Sequence, residues 1–556
     1  MNAARKLALI YLILVGLKIV GSFFIVTPTI YSDEYIYAKT ARSIATSFEF
    51  TIHEMPTNQY APLYALMISP AYLFQDMNTV YLIMKIINAL LATLIIIPAY
   101  LFAKEFVSTR ESITIAALVA VLPPTFAFTS YIMAENLFYP IFLTALYYIY
   151  KAQQEKTIKY NVLAGIAIGA AILTRIIGVT LLGIVGLLFL RSLFTKHYEE
   201  IKNKSILGII TLATLALWMI RNILAFGFST SSIIGSYSRE IGNTTRISFE
   251  AVLGNGMYWT IAYVAMIILS SGILFALGTL LFIKEEWRKK KNELVYVVLS
   301  TLIVVVIVAV NHQFHGLIKA ETFLQLMGRP IGRYMDIALP LIIIAGYIGL
   351  SRQAEVGKKW FISLGVITLL GAMIMFFPLV PVNNMSLAWL GVIQQFLSVS
   401  NLNAGIGTLV AYMLAIVVAF LAAYLVWKKT TRKNMIKICT IFFLVLSLGN
   451  IAIAGYNSQK NWLPLEQVQL GKWIDNNTPP TATIMFDEKG CLQRSIQDNA
   501  SICSSAKDTT LAGFWINRKI RIGNNPLEAD YFISRAEVNY TPIYQTESNI
   551  YVYQVN

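Results

Sequence analysis

Apolar runs of about 20 residues, separated by short polar gaps, recur along most of this 556-residue chain. A helix of that length covers ~30 Å, the thickness of bilayer hydrocarbon. With no water there to satisfy an open backbone, runs of this length and composition are expected to be helical. The pattern predicts about thirteen spans, at 7–27, 79–103, 112–130, 135–150, 160–174, 176–194, 205–225, 256–283, 294–311, 334–350, 360–378, 405–427 and 435–455. The shorter apolar stretch 63–74 reads as a helix lying in the interface. Beyond residue 456 the pattern changes. Leu465–Asn476 reads as a helix, Thr483–Phe486 and Tyr531–Ser534 as buried strands, and Ile550–Val555 as a last strand. The expected fold class is an α-helical polytopic membrane protein over 1–456, with a small C-terminal α/β domain over 457–556.

Composition agrees: 57% of residues are hydrophobic and 13% charged, against roughly 25% charged in soluble domains. The net charge of +15 suggests a polyanion partner until its location is considered. Residues 457–556 hold nine Lys and Arg against ten Asp and Glu, so the excess belongs to the membrane part. It lies in the gaps Lys104–Arg110, Lys151–Lys159, Arg191–Lys204, Lys284–Lys291, Arg352–Lys359 and Lys428–Lys437. Positive gaps mark the cytoplasmic side. Nucleic acid is thereby excluded as a partner. The chain is read as a multi-pass protein of the plasma (cytoplasmic) membrane, N-terminus inside and C-terminal domain outside. Its first segment, with Arg5-Lys6 and no small-residue cleavage site, reads as a signal anchor. The reading turns on 160–194, either one tilted helix or two short ones broken at Thr174-Arg175. A single crossing would place Lys284–Lys291 outside, so two are expected.

On this topology the outer face holds a long first loop, 28–78, and most of the ionisable residues outside the basic gaps. The acids are Asp33, Glu34, Glu54, Glu135 and Glu321; the cations are Lys85, Arg175, Arg239, Arg246, Lys319, Arg329 and Arg333. Adjacent carboxylates at a membrane surface are costly unless they face water, a partner or a substrate. A carboxylate can deprotonate an attacking hydroxyl, and Arg or Lys can hold a phosphate leaving group. Together they suit group transfer from a lipid-anchored phosphate. The chain has no Walker-type loop and no dinucleotide fingerprint. His53, His312 and His315 invite a metal, but no sharp ligand spacing exists, so no cofactor is required and a divalent metal has no support. Cys439 reads as buried filler. Cys491 and Cys503 could pair in an oxidising compartment or remain two free thiols. Asn-x-Ser/Thr sequons at Asn243, Asn384, Asn476, Asn499 and Asn539 fall on the outer side.

The order of these features resembles the GT-C glycosyltransferases, and within them the protein O-mannosyltransferase and aminoarabinose-transferase-like group. The resemblance rests on Asp33-Glu34 beyond the first span, Pro62-Leu63-Tyr64, and Glu135 opening the fourth span. Leu173-Thr174-Arg175 between short helices and Gly332-Arg333-Tyr334 before a span complete it. It implies an inverting sugar transferase using a polyprenyl- or dolichyl-phosphate sugar, with a glycan, lipid or protein acceptor on the extracytoplasmic face. It implies Asp33 as general base, Glu34 and Glu135 as orienting acids, and Arg175, Arg333, Lys85 and Arg329 as donor-phosphate ligands. Tyr60, His53 and Glu54 are candidates on the acceptor side. Where the aminoarabinose branch carries Glu-Lys-Pro, this chain has Tyr60-Ala61-Pro62, which argues against lipid A as acceptor and against a bound metal. The alternatives are a transporter or lipid flippase, or a ligase or polymerase using lipid-diphosphate oligosaccharides.

Overall fold

The structure, a computed structural model, describes residues 2–230, 232, 235, 249–289, 293–313, 317–318, 327–328, 330–352, 357–373, 383–399, 406–487 and 507–556. The chain opens with α1 (Ala3–Phe23), α2 (Tyr31–Ser47), the hairpin β1 (Thr51–Ile52) and β2 (Met55–Pro56), and α3 (Pro62–Ile68). Helices α4 (Met77–Thr93), α5 (Ile96–Lys104), α6 (Thr109–Ala120) and α7 (Pro123–Phe126) follow. Next come α8 (Glu135–Glu155), α9 (Ile158–Thr174), α10 (Thr180–Phe194) and α11 (Tyr198–Phe226). The second half of the bundle contains α12 (Phe249–Ser270), α13 (Leu274–Lys289), α14 (Glu293–Gln313), the antiparallel pair β3 (Leu317–Ile318) and β4 (Met327–Gly328), α15 (Arg333–Asp336) and α16 (Leu339–Arg352). It ends with α17 (Lys358–Ala372), α18 (Ala388–Val399), α19 (Ile406–Lys429) and α20 (Arg432–Asn457).

Among the described residues, 7 helices are long and apolar enough to cross a membrane unbroken, and 2 further pairs qualify only as bent spans. The protein is a multi-pass membrane protein, but its spans are less uniform than thirteen straight rods. The run 112–130 bends by 74° where Pro123-Pro124 end α6, because proline cannot continue the ladder. The run 256–283, expected as one span, is two helices bent by 108°. Its backbone turns through Gly272 at φ 71° and Ile273 at φ 65°, a left-handed pair that no helix accommodates.

The run 160–194 is two helices, and its break is well defined. Arg175 is extended (φ −157°, ψ 131°) and ends α9; a short 3-10 turn, Ile176–Val179, leads into α10. A Cβ at Gly178 would come within 2.7 Å of the Ala171 and Ile172 backbone, so only glycine allows the turn to fold back on α9.

The described parts of all six basic gaps meet at one end of the bundle. Lys151 pairs with Glu105 (3.4 Å), Lys156 with Glu200 (3.0 Å), and Arg191 with Glu293 (2.5 Å). Arg352 pairs with Glu286, and Arg432 donates to the Ser351 carbonyl. The ends of α9 and α8 that carry Arg175 and Glu135 point the other way.

After α20 comes an α/β unit of α21 (Glu466–Asn477), β5 (Thr483–Asp487), α22 (Lys507–Phe514), β6 (Lys519–Gly523), β7 (Tyr531–Ser534), β8 (Pro542–Gln545) and β9 (Tyr551–Gln554). The sheet order is β6-β5-β7-β9-β8, with β5 parallel to both neighbours and the β7–β9–β8 edge antiparallel. Helix α22 and strands β6 and β8 were not expected. Val468, Leu511, Phe514 and Trp515 of this unit share one core with Tyr31, Tyr35 and Ala38 of α2 and with Val80 and Tyr81 of α4. The unit is therefore packed onto the first loop. Cys439 is buried in α20; Cys491 and Cys503 lie outside the described residues.

Candidate active site

At the end of the bundle opposite the basic gaps lies a cavity of about 400 Å³. Asp33, Tyr60, Glu135, Arg175 and Arg333 line one side of it, with Tyr37, His312 and Tyr334. Leu173, Val179, Leu182, Leu212, Leu215 and Met219, from α9, the 3-10 turn after it, α10 and α11, form an apolar wall. Val179 and Leu212 are 48% and 60% exposed on the bundle surface, so this wall reaches the lipid-facing side. The result is a polar floor beside an apolar cleft.

Local structure sets each polar group. Asp33 and Tyr37 share a face of α2, one turn apart. Pro62 begins α3 at its first turn and holds Ala61 extended (φ −67°, ψ 147°), which places Tyr60 over α2. There the Tyr60 hydroxyl donates to Asp33 Oδ1 at 2.7 Å and its ring stacks on Tyr37 with centroids 4.9 Å apart. Arg333 Nη1 stands 3.8 Å from Asp33 Oδ2. Its position comes from Asn383 and Asn384: Arg333 N–H donates to the Asn383 carbonyl (2.9 Å), and Asn384 Oδ1 accepts from Gly332 N–H (2.8 Å). A Cβ at Gly332 would meet that same Oδ1 at 2.7 Å.

Arg175 and Glu135 form a buried ion pair, Nη1 to Oε1, with Glu135 at the start of α8 where the helix dipole favours an acid. Two buried atoms here have no partner among the described residues, Arg333 Nε and Glu135 Oε2. Buried polar groups are seldom left so, and both suit a bound ligand, one as donor and one as acceptor.

Four sequence candidates lie elsewhere. Glu34 is fully buried and does not line the cavity. Its carboxylate accepts from the N–H groups of Thr29 (3.0 Å), Ile30 (2.8 Å) and Ile132 (2.9 Å), tying the start of α2 to the segment before α8. Burial lifts its carboxyl to about 7 against the pull of those amides. Lys85 is not at the cavity either; its ammonium donates to the carbonyls of Ser22 (2.8 Å) and Ile25 (2.7 Å) and lies 4.4 Å from the Tyr81 ring centroid. It closes the open C-terminal end of α1, whose last carbonyls need donors. His53 and Glu54 occupy the β1–β2 turn at φ 53° and 65°. His53 meets the Tyr35 hydroxyl, and Glu54 pairs with Lys519 and Arg521 of the C-terminal unit. Arg329 lies outside the described residues, as do Glu321, Lys319 and His315.

Some site builders were not anticipated. Arg221 of α11 donates to the carbonyls of Thr57 and Phe50, each at 2.7 Å, and so pins the loop that carries Tyr60. Asn384 was visible as a sequon; it is 1% exposed and spends its amide on the Arg333 turn. Among the described residues no group of three or more His, Cys, Asp or Glu is placed to hold a metal.

Residues 54–232, less than half of the chain, match the model of a family described as dolichyl-phosphate-mannose-protein mannosyltransferase. Over 94% of its length the chain aligns with the crystal structure of ArnT from Cupriavidus metallidurans bound to undecaprenyl phosphate, covering 86% of that chain at 15% identity with a TM-score of 0.54. The apo state of that protein gives 0.51 at the same identity and coverage. The Archaeoglobus fulgidus oligosaccharyltransferase in its apo form aligns over 95% of this chain and 65% of that one, at 14% identity and a TM-score of 0.48. No curated protein matches the sequence. Taken with the bundle and the C-terminal sheet, the ArnT likeness establishes the architecture: the chain has the GT-C fold of membrane glycosyltransferases.

Proposed function

We propose that the protein is an inverting glycosyltransferase that moves a sugar from a polyprenyl- or dolichyl-phosphate donor to an acceptor hydroxyl on the extracytoplasmic face. One observation carries this reading. A carboxylate, Asp33, and the guanidinium of Arg333, whose buried Nε has no partner among the described residues, stand 3.8 Å apart on the floor of a cleft whose opposite wall is apolar and reaches the lipid side. The apolar wall suits a polyprenyl chain and the arginine its phosphate. The family match over 54–232 and the undecaprenyl phosphate bound by ArnT support the donor class. The six basic gaps at the far end support the orientation, with that end cytoplasmic.

In this mechanism Asp33 accepts the proton of the acceptor hydroxyl as its oxygen bonds to the anomeric carbon. The bond from that carbon to the phosphate oxygen breaks, and the electron pair leaves with the lipid phosphate. Arg333, backed by Arg175, stabilises the extra negative charge, which is greatest in the transition state and product. Displacement from the face opposite the phosphate inverts the anomeric centre. Tyr60 holds Asp33 Oδ1, leaving Oδ2 for the incoming proton. Glu135 Oε2 is placed to accept from a sugar or acceptor hydroxyl.

The test supplies a panel of polyprenyl-phosphate sugars to the purified protein in lipid, with product analysis. Asp33→Asn should reduce transfer by about 10²-fold or more while the thermal midpoint and lipid-phosphate binding stay as in the wild type. Undiminished turnover in that variant removes Asp33 as the base. Transport of the lipid-linked sugar without any acceptor would favour a flippase instead.

A further inference from the structure

A second cavity, of about 490 Å³, lies where the later half of α2 and the β1–β2 hairpin meet the C-terminal unit. The proposed transfer makes no use of it. Asp33 and Tyr37 face the first cavity, whereas Lys39 and Arg42 are turned to the other side of α2 at 100° per residue.

Three cations converge there. Lys39, 6% exposed, donates to the carbonyls of Ile516 (2.7 Å) and Phe514 (3.4 Å). Among the described residues Arg42 bonds through its Nε alone, to Asn517 Oδ1 at 3.0 Å, which leaves its terminal nitrogens for another acceptor. Arg518, 5% exposed, uses its terminal nitrogens on Asp475 Oδ1 (3.1 Å) and on backbone carbonyls, while its Nε is buried with no partner among the described residues. One buried carboxylate opposes them. Asp475 already accepts from the N–H groups of Met77 (3.1 Å) and Asn517 (2.8 Å). At the rim, Glu54 is committed to Lys519 and Arg521, and Glu49 is exposed.

Burial and then the Arg42 guanidinium push the Lys39 ammonium well below its usual pKa; burial, with Arg518 acting in the same sense, lowers Arg42. Three cations enclosed around one carboxylate are unfavourable unless an anion completes the set. Hydroxyls line the same space: Thr46 and Ser47 donate theirs to the Arg42 (3.0 Å) and Ser43 (2.8 Å) carbonyls, while Ser43 and Thr51 share one bond at 2.5 Å, so one O–H of that pair can donate to such an anion.

We propose that this cavity binds a phosphate or carboxylate group, held by Arg42, Lys39 and Arg518 at the junction of α2 with the C-terminal unit. The group is either a free anion or a charged unit of the acceptor; only the second source rests on the transferase reading.

The experiment uses the full chain in lipid nanodiscs and titrates inorganic phosphate at ionic strength fixed with chloride. Wild type should show a saturable rise in thermal midpoint, as ligand linkage requires. Arg42→Gln should weaken phosphate by about tenfold or more, the effect of losing a charged hydrogen bond. Thr46→Glu, at an exposed position on the cavity wall, should weaken it similarly by placing a carboxylate there. No saturable rise in wild type, or equal rises in all three proteins, overturns the proposal. Glycans bearing phosphate or uronate groups, beside neutral counterparts, then assign the source. Displacement of phosphate by the charged glycans alone supports the site as an acceptor subsite, and saturable phosphate binding without displacement supports it as a free-anion site. Because the readout is binding, it stands whether or not Asp33 proves to be a transfer base.

Discussion

At Asp33 the side chain meets the cavity, the Tyr60 hydroxyl and Arg333; one residue on, Glu34 is wholly buried and gives both oxygens to backbone amides. The sequence marks the pair because acids beside a membrane are costly, but 100° of helix separates their directions and only the packing of the segment before α8 decides which one turns inward. The buried member has a pH signature. Burial raises the Glu34 carboxyl to about 7, whereas an unfolded glutamate titrates near ~4.3. Between those values the native chain holds a proton the unfolded chain has released, so stability falls as pH rises through that window. Glu34→Gln has no such group. The thermal midpoint of wild type should therefore decline relative to Glu34→Gln from about pH 5 to about pH 8, by up to ~3 kcal/mol in stability. A difference between the two proteins that stays flat over that range would contradict this. Asn384 teaches the same lesson from the other side. Its sequon reads as a surface feature, yet burial makes it the residue that seats Gly332 and Arg333.

Among the elements, the break in 160–194 was legible because charge alternation required two crossings and Thr174-Arg175 offered the place. The bend in 256–283 was not, although Ser271-Gly272 stood in the run; the apolar pattern continues through it and hides a left-handed turn. What the pattern could not show in either case is backbone approach. At Gly178 any side chain would strike main-chain atoms of α9 at 2.7 Å, which cannot rotate away as a side-chain tip could. Gly178→Ala should lift the 3-10 turn from α9, cost about 1–3 kcal/mol in stability, and displace Arg175 from Glu135. If Arg175 helps hold the donor phosphate, KM for the lipid-phosphate sugar should rise more than kcat falls. A variant with wild-type midpoint and wild-type KM would show that the turn tolerates separation from α9.

Over the whole molecule, the C-terminal unit is built into the seat of α2. Trp515 is 1% exposed, packs edge-on to Tyr81 with centroids 5.7 Å apart, and directs its indole N–H toward the Tyr31 hydroxyl at 3.4 Å. Ser458 bonds the Thr27 backbone, and a Cβ on Gly513 would lie 3.0 Å from the Tyr35 ring. Continuous apolar runs made β5, β7 and β9 readable. Strand β6 carries Lys519 and Arg521 on a sheet edge, where charge is normal and the apolar signal is diluted. The docking itself left no sequence motif, since it rests on aromatic side chains far apart in the chain. If that contact fixes α2, and α2 fixes Asp33, its loss should reach the first cavity without touching it. Trp515→Ala, a large truncation in a closed core, should cost about 3–5 kcal/mol at the junction. We expect faster proteolytic cutting between α20 and α21, unchanged helix content by circular dichroism, and at least a tenfold drop in transfer. Restoring the aromatic ring with Trp515→Phe should recover most of the rate. Release of the C-terminal unit with transfer intact would instead mean that Glu34, Lys85 and the bundle hold Asp33 by themselves.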